Sequence, residues 1–259
     1  MDAPWPDDEQ PEVGIVRPDA AALADPLSTA DVTVVSGDLD TVLAADPSVL
    51  VAAGEPALTG IARARPGVPV LPVGPIPGIE SVDRTHLSEA LAAVLEGDVR
   101  VRPRTILAAE VDRAGDAADT DTRSRALFDV TLVTDEPARI SEYGVRSRGD
   151  VVATFRADGV VVATPAGSHG YASAIEAPQV SAAVDAVAVA PIAPFVTQTR
   201  RWVLPDDDVV LTVERDEGNV TLVADDRSVA SVAVGARVTV SADGTLPTLV
   251  VPDGALEMR

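Results

Sequence analysis

The chain has 259 residues, long enough for two domains or one large one with a sizeable core, and 20 basic against 41 acidic residues give it a formal net charge of −21. That balance excludes a nucleic-acid footprint, which needs clustered cations, while a hydrophobic content of 46% in regular patterns excludes a disordered polyanion. The absence of cysteine removes disulfides, thiolate metal sites and a cysteine nucleophile, and two histidines, His86 and His169, are too few for a histidine-rich metal centre.

The first twelve residues, MDAPWPDDEQPE, join prolines to acids with no basic segment or apolar core, and read as a disordered acidic tail rather than a signal peptide. No uncharged apolar run approaches the roughly eighteen residues that suggest a membrane span. All of the cations are arginine. So acidic a surface suits a protein that stays soluble in very high salt, where carboxylates hold water and screening removes their repulsion. A salt-accumulating cytoplasm is the expected location.

From Val13 short apolar runs alternate with alanine-rich segments. Val13–Val16, Asp31–Val35, Ser48–Gly54 and Val68–Gly74 read as strands, and residues 19–25, 38–46 and 58–65 as helices between them. Strands alternating with short helices call for a parallel sheet covered on both faces. Thr85 to Gly97 carries an apolar stripe at Leu87, Leu91, Val94 and Leu95, with Thr85 as N-cap and Gly97 at the stop. This helix closes an α/β domain over residues 13–98. After Val99 the rhythm becomes closely spaced strands with turn residues between them, and Asp112 to Ser124 reads as an exposed hairpin loop. Residues 99–242 are therefore a β-rich domain of two packed sheets, a β-sandwich. Residues 243–259 form a C-terminal segment with the option of packing on the first domain.

Composition and turn chemistry change most abruptly between Arg156 and Pro178. Asp158-Gly159 makes a turn, Val160 to Ala163 is a buried strand, and Thr164-Pro165-Ala166-Gly167-Ser168 stops it before an alanine-rich helix start. Such a loop gathers hydroxyls and backbone N–H groups on a rigid base and suits phosphate, ribose or an adenine edge. On the residues alone, Thr164 and Ser168 have helix capping as their alternative role. Ala166-Gly167-Ser168-His169-Gly170 also approximates a hydrolase elbow, but its first glycine is missing and no histidine follows at the distance a triad needs. No G-x-G-x-x-G follows an early strand, which disfavours a Rossmann dehydrogenase.

Asp158-Gly159, the apolar run and TPAGSHGY at Thr164 to Tyr171 together resemble the DG-(apolar)-TPTGSTAY segment of the NAD kinase family. Ser48 to Gly60 sits where that family has a strand followed by GGDGT, and Ala126 to Val133 where it has an Asn-Glu pair. Ala190 to Phe195 and Arg200 to Pro205 resemble its later Pro and Arg-Pro strands, and Asp225-Asp226-Arg227 falls at a family DG turn. The resemblance implies ATP-dependent phosphorylation of the adenosine-ribose 2′-hydroxyl of NAD, with Mg²⁺, a cleft between two domains, and a homo-oligomer. It gives Glu55 the place of the family's catalytic Asp, as candidate base, beside Gly54. It makes Asp129, Asp158, Thr164, Ser168, Gly170 and Tyr171 dinucleotide contacts, with Asp158 reaching adenine from a neighbouring subunit, and it implies no protein-held metal cluster.

Two departures divide the reading. Pro56 removes an N–H that would meet a phosphate and fixes φ where glycine would allow a positive value. Phe128 replaces a hydrogen-bonding residue and suits core packing. One reading is therefore an NAD kinase with a degenerate phosphate loop. The other is an inactive relative that binds NAD(P) or another adenine nucleotide as a sensor or partner subunit. On the residues alone, Gly54-Glu55-Pro56 is also a plain strand-to-helix turn.

Overall fold

The computed structural model describes residues 11–16, 32–112, 122–136, 139–196 and 199–252. They form two compact units. One reaches to Arg104 and takes in the chain again from Thr245, and the other runs Thr105–Gly244. The helix expected over residues 19–25 lies outside the described residues.

In the first unit, β1 (Glu12–Val16), β2 (Thr33–Gly37), β3 (Val49–Ala53) and β4 (Val70–Val73) make a parallel sheet in the order β2-β1-β3-β4. Strand β3 is buried along its whole length, as a strand covered on both faces requires. Helix α1 (Leu39–Ala44) is capped by Asp38, whose carboxylate accepts the Thr41 N–H at 2.8 Å. Helix α2 (Glu55–Ala64) buries Leu58 and Ile61, and α3 (Leu87–Leu95) buries Leu87, Leu91 and Val94. Each such side chain contributes roughly 1.5–3 kcal/mol relative to exposure.

The start of α3 differs from the sequence expectation. Thr85 is not its cap: a 3₁₀ turn over Arg84–His86 precedes the helix, and Asp83 caps that turn, accepting the Thr85 N–H at 2.9 Å and its hydroxyl at 2.7 Å, while the helix itself begins after His86 with no side-chain cap. A carboxylate two residues upstream offers a stronger acceptor than a hydroxyl. The stop is as expected: Gly97 takes φ +75° and the Gly97 and Asp98 N–H groups close onto Val94 and Ala93 carbonyls.

In the second unit, six antiparallel strands run in the order β12-β11-β10-β7-β14-β15. They are β7 (Asp129–Thr134), β10 (Gly159–Ala163), β11 (Ala186–Ile192), β12 (Trp202–Pro205), β14 (Val220–Ala224) and β15 (Arg227–Val232). A second antiparallel set joins β8 (Ser141–Ser147), β9 (Asp150–Ala157), β13 (Val209–Arg215) and the start of β16 (Arg237–Val250). Val130, Val160, Val162 and Leu222 from the first sheet share one core with Tyr143, Val145, Leu211 and Val238 from the second. This is the two-sheet packing expected for the β-rich half. Strand β5 (Arg100–Asp112) pairs with β6 (Thr122–Ala126), so Thr122 to Ser124 belong to a strand, and not to the exposed loop expected there.

Strand β10 explains its own composition. Val160 and Val162 face the inter-sheet core, while Val161 and Ala163 pack on the other side against Ala172, Ala177 and Val180. A strand covered on both faces needs an unbroken apolar run, which is what GVVVA supplies. Its outer cover is the segment that follows it in the chain.

Candidate functional site

Thr164 begins the turn that leaves β10. Its N–H donates to the Phe128 carbonyl at 2.8 Å, and its hydroxyl donates to the Leu127 carbonyl at 2.7 Å while accepting the Gly167 N–H at 3.0 Å. Four residues on, the Ser168 hydroxyl donates to the Pro165 carbonyl at 2.7 Å and accepts the Val180 N–H at 3.0 Å. Both side chains are buried, and both hydroxyl protons are spent in folding the loop. A 3₁₀ turn at Gly167–His169 leads into the short helix α4 (Tyr171–Ala174), which puts His169 and Tyr171 outside, with Gly170 half-buried between them.

The base of this loop is the backbone of Leu127 to Asp129. Gly167 lies so close to it that a Cβ there would fall 1.9 Å from the Phe128 carbonyl oxygen. From another side, the Asp225 carboxylate accepts N–H bonds from Leu127 (3.1 Å), Phe128 (2.7 Å) and Asp129 (3.3 Å). Asp225 turns the chain between β14 and β15 at φ +53°, a conformation Asp tolerates better than most residues, and returns its own N–H to the Asp129 carbonyl at 2.9 Å. The Phe128 side chain is buried, in keeping with a packing role, while its backbone is gripped on both sides.

Asp129 is buried, with Oδ1 accepting the Thr131 hydroxyl at 3.1 Å. Asp158 is half-buried at the opposite end of β10. Its backbone is fixed there, the N–H donating to Ile192 and the carbonyl accepting the Thr134 N–H and the Tyr143 hydroxyl. Both carboxylates act on Tyr171. Partial burial raises the Tyr171 phenol above its ordinary value, and the charges of Asp129 and Asp158 raise it further. The other tyrosine, Tyr143, is also raised, by burial first and then by Asp158 and Asp135, against the lowering effect of its bonds to Thr134 and Ser141.

Those shifts make a prediction. A spectrophotometric titration of the phenolate band should show neither of the two tyrosines half-ionised at pH 10.0, the ordinary value. Asp129→Asn should bring the Tyr171 midpoint down, and Asp158→Asn should bring both midpoints down. The linkage has a definite sign: a phenol raised by folding contributes stability that is fully present below the unfolded pKa and is lost as pH rises toward the folded one. A midpoint at or below the ordinary value for both phenols would contradict the placement of the two carboxylates.

The remaining pair lies in the first unit. Gly54, at φ +90° and ψ 169°, ends β3 in a conformation reserved for glycine, and Glu55 opens α2 with its side chain exposed. Pro56 stands in the first turn, where its missing N–H costs no helical bond. The turn offers one carboxylate and one fewer N–H than a phosphate cradle would use. Among the described residues no group of three or more His, Cys, Asp or Glu side chains is placed to hold a metal ion.

The structure thus gathers Thr164, Ser168, Gly170 and Tyr171 on one loop built over Asp129, with Asp158 at the far end of β10. Two determinants escaped the sequence reading. Gly167 was visible only as a loop glycine, and Asp225 only as a turn residue; an Asp at the head of an Asp-Asp turn was the one signal that its carboxylate would be used locally.

A parallel α/β unit joined to a two-sheet β unit, with a TPAGSHGY loop wedged on the strand-start backbone of the latter, is the class of fold found in kinases of nicotinamide dinucleotides. Residues 127–250 match the ATP-NAD kinase C-terminal domain. The chain is 33% identical over 173 residues to an NAD kinase of Pseudomonas putida (strain W619), covering 65% of this chain and 57% of that one. It is 31% identical over 196 residues to an NAD kinase of Methylibium petroleiphilum, covering 74% and 65%. Among solved structures the fold is shared with yeast NADH kinase complexed with NADH, at a TM-score of 0.79 and 16% identity over 96% of this chain and 86% of that one. An NAD kinase from Archaeoglobus fulgidus in complex with ATP gives 0.69 and 19%, over 95% of both. The chain belongs to the NAD kinase family. It spans less than two thirds of the length of these curated relatives. Among the described residues no helix is long and apolar enough to cross a membrane.

Proposed function

We propose that this chain transfers a phosphoryl group from ATP to the 2′-hydroxyl of the adenosine ribose of NAD, giving NADP. NAD rests on the Thr164–Tyr171 loop, and Glu55 accepts the hydroxyl proton as the ribose oxygen bonds to the γ-phosphorus and ADP leaves. Asp129 accepts from a ribose hydroxyl, Tyr171 lends its exposed face, and Gly54 and Gly170 let backbone approach the ligand. Asp158 meets adenine from a second copy in a homo-oligomer. Mg²⁺ brought in with the nucleotide would offset the charge on its phosphates. The protein's share is positioning and proton removal. What supports this reading is the loop itself, rigid on the Leu127–Asp129 backbone and inside the matched C-terminal domain. The acidic, lysine-free composition supports a salt-rich cytoplasm as the setting of the reaction.

One observation favours a second reading. Pro56 withholds an N–H at the turn where a triphosphate needs donors, and a protein that binds NAD(P) or another adenine nucleotide without turnover, as a sensor or partner subunit, tolerates that loss. Assaying NADP formation with ATP, Mg²⁺ and molar KCl separates the two. Product is expected, falling about 100-fold or more in Glu55→Ala. No product alongside measurable NAD or NADP binding rejects the kinase and keeps the binder, and unchanged turnover in Glu55→Ala removes Glu55 as the base.

A further inference from the structure

The chain carries a net charge of −21, yet one place in its first unit is locally positive. Strand side chains alternate, so Arg100, Arg102 and Arg104 at the start of β5 project to one face. They border and back a cavity of about 670 Å³, to which Glu80 and the stretch Leu249–Pro252 also contribute. Glu80 is the acid in this group. Its carboxylate accepts from Arg102 Nη1 and Arg104 Nη2, so three guanidinium groups face one carboxylate, a local charge of 3 − 1 = +2.

The three arginines are not equivalent. Arg104 is buried, with Nε donating to the Thr248 hydroxyl at 3.2 Å, and Thr248 donates in turn to the Arg102 carbonyl at 2.8 Å. That guanidinium is locked, and Glu80 is what neutralises it; a buried cation without such a partner would be costly. Partial burial of Glu80 works against its charge, but the Arg104 bond, its own backbone N–H and the Arg104 and Arg102 charges outweigh it and hold the carboxyl below the ordinary glutamate range. Arg102 is half-exposed and uses one of its five N–H donors on Glu80. The Arg100 guanidinium is exposed and has no hydrogen bond or ion pair among the described residues. Folding alone does not account for two arginines displaying spare planar donors at the mouth of a cavity, in a protein that otherwise gathers negative charge.

The walls say what else a ligand must carry. Ile79, Val82, Leu249 and Val251 make one side apolar, with Val101 exposed beside them. The volume is that of a small-molecule site and far exceeds a bare phosphate ion. We propose that this cavity binds a small organic phosphate, its dianionic head on the Arg100 and Arg102 guanidinium groups and its carbon body against the Ile79–Val251 wall. Guanidinium forks match phosphate oxygens in pairs, which sets the orientation of the head. The site stands apart from the Thr164–Tyr171 loop in sequence and in unit, and does not rest on the reaction proposed above.

Phosphorus-31 NMR titration of the full chain, in phosphate-free buffer with molar KCl, tests it with phenyl phosphate and inorganic phosphate as probes. Saturable binding of phenyl phosphate is expected, at least about tenfold tighter than that of inorganic phosphate, the extra tenfold reflecting the body on the apolar wall. Arg100→Gln and Arg102→Gln should each weaken it about tenfold. Both side chains are exposed, and Arg104 remains to pair with Glu80, so folding is spared. Four results would overturn the proposal: no saturable binding, equal affinity for the two probes, affinity unchanged in the double variant, or competitive displacement of phenyl phosphate by NAD, which would put the probe at the dinucleotide loop.

Discussion

Gly167→Ala should cost about 3 kcal/mol of folding stability, a large effect for one methyl group. The methyl carbon would meet the Phe128 carbonyl oxygen at 1.9 Å, its carbonyl carbon at 2.5 Å and its Cα at 2.9 Å. All three are backbone atoms, so no rotamer change relieves the clash. The Phe128 backbone has no freedom to retreat either, because its N–H is held by Asp225 and its carbonyl by the Thr164 N–H. Either the loop lifts and loses the Thr164 bonds to Leu127 and Phe128, or residues 127–129 shift and loosen their bonds to Asp225. Denaturant unfolding in molar KCl reads the loss as a lower midpoint at unchanged slope. Gly170→Ala is the control: its Cβ would find only the Gly167 carbonyl oxygen, at 3.5 Å, and stability should change by about 0.5 kcal/mol or less. Equal midpoints for wild type and Gly167→Ala would refute the close approach. On the dinucleotide-binding reading, NAD affinity falls with Gly167→Ala even where the variant remains folded, since the loop that carries Tyr171 no longer seats.

Why Gly167 is a glycine was hidden in the sequence, and the reason is instructive. The strands of both units were legible because their signal is local: VLVAA and GVVVA announce burial on two faces, and Gly97 ends its helix through its own dihedral angles. The close packing of Gly167 on Phe128 joins residues 39 positions apart, and no local pattern encodes it. The same holds for the capped 3₁₀ turn that leads into α3. A hydroxyl at Thr85 looked sufficient until Asp83, within reach of both its N–H and its Oγ1, supplied a stronger acceptor. Within the candidate loop, residue types were legible and their employment was not. Thr164 and Ser168 carry hydroxyls suited to a ligand, yet both protons are engaged with the carbonyls of Leu127 and Pro165. Tyr171, at 51% exposure, and His169 are the large side chains on the loop that are left outside. A family resemblance finds the loop, and only coordinates separate the groups that build it from those that face outward.

Asp225→Ala should be comparably damaging, at about 3 kcal/mol, through unpaired donors rather than a clash. One carboxylate accepts from three consecutive N–H groups, and removing it leaves those of Leu127, Phe128 and Asp129 without that partner at a partly buried site. Alanine at φ +53° adds backbone strain of roughly 1 kcal/mol, which glycine would not. Comparing Asp225→Ala with Asp225→Gly therefore isolates the dihedral cost, and comparing Asp225→Gly with wild type isolates the carboxylate. Asp225→Asn should fall between, because its oxygen still takes the Phe128 and Asp129 bonds while its amide group turns a donor toward the Leu127 N–H. The order wild type, Asn, Gly, Ala in unfolding midpoint is the expected result. Should Asp225→Gly match wild type, the three bonds carry no net stability and the backbone of residues 127–129 is held by the Thr164 loop alone. The functional consequence runs through Asp129. Its carboxylate projects from a backbone that Asp225 fixes, so on the dinucleotide-binding reading Asp225→Asn should weaken NAD binding while leaving the Tyr143 phenol, at the other end of β10, with its titration unchanged.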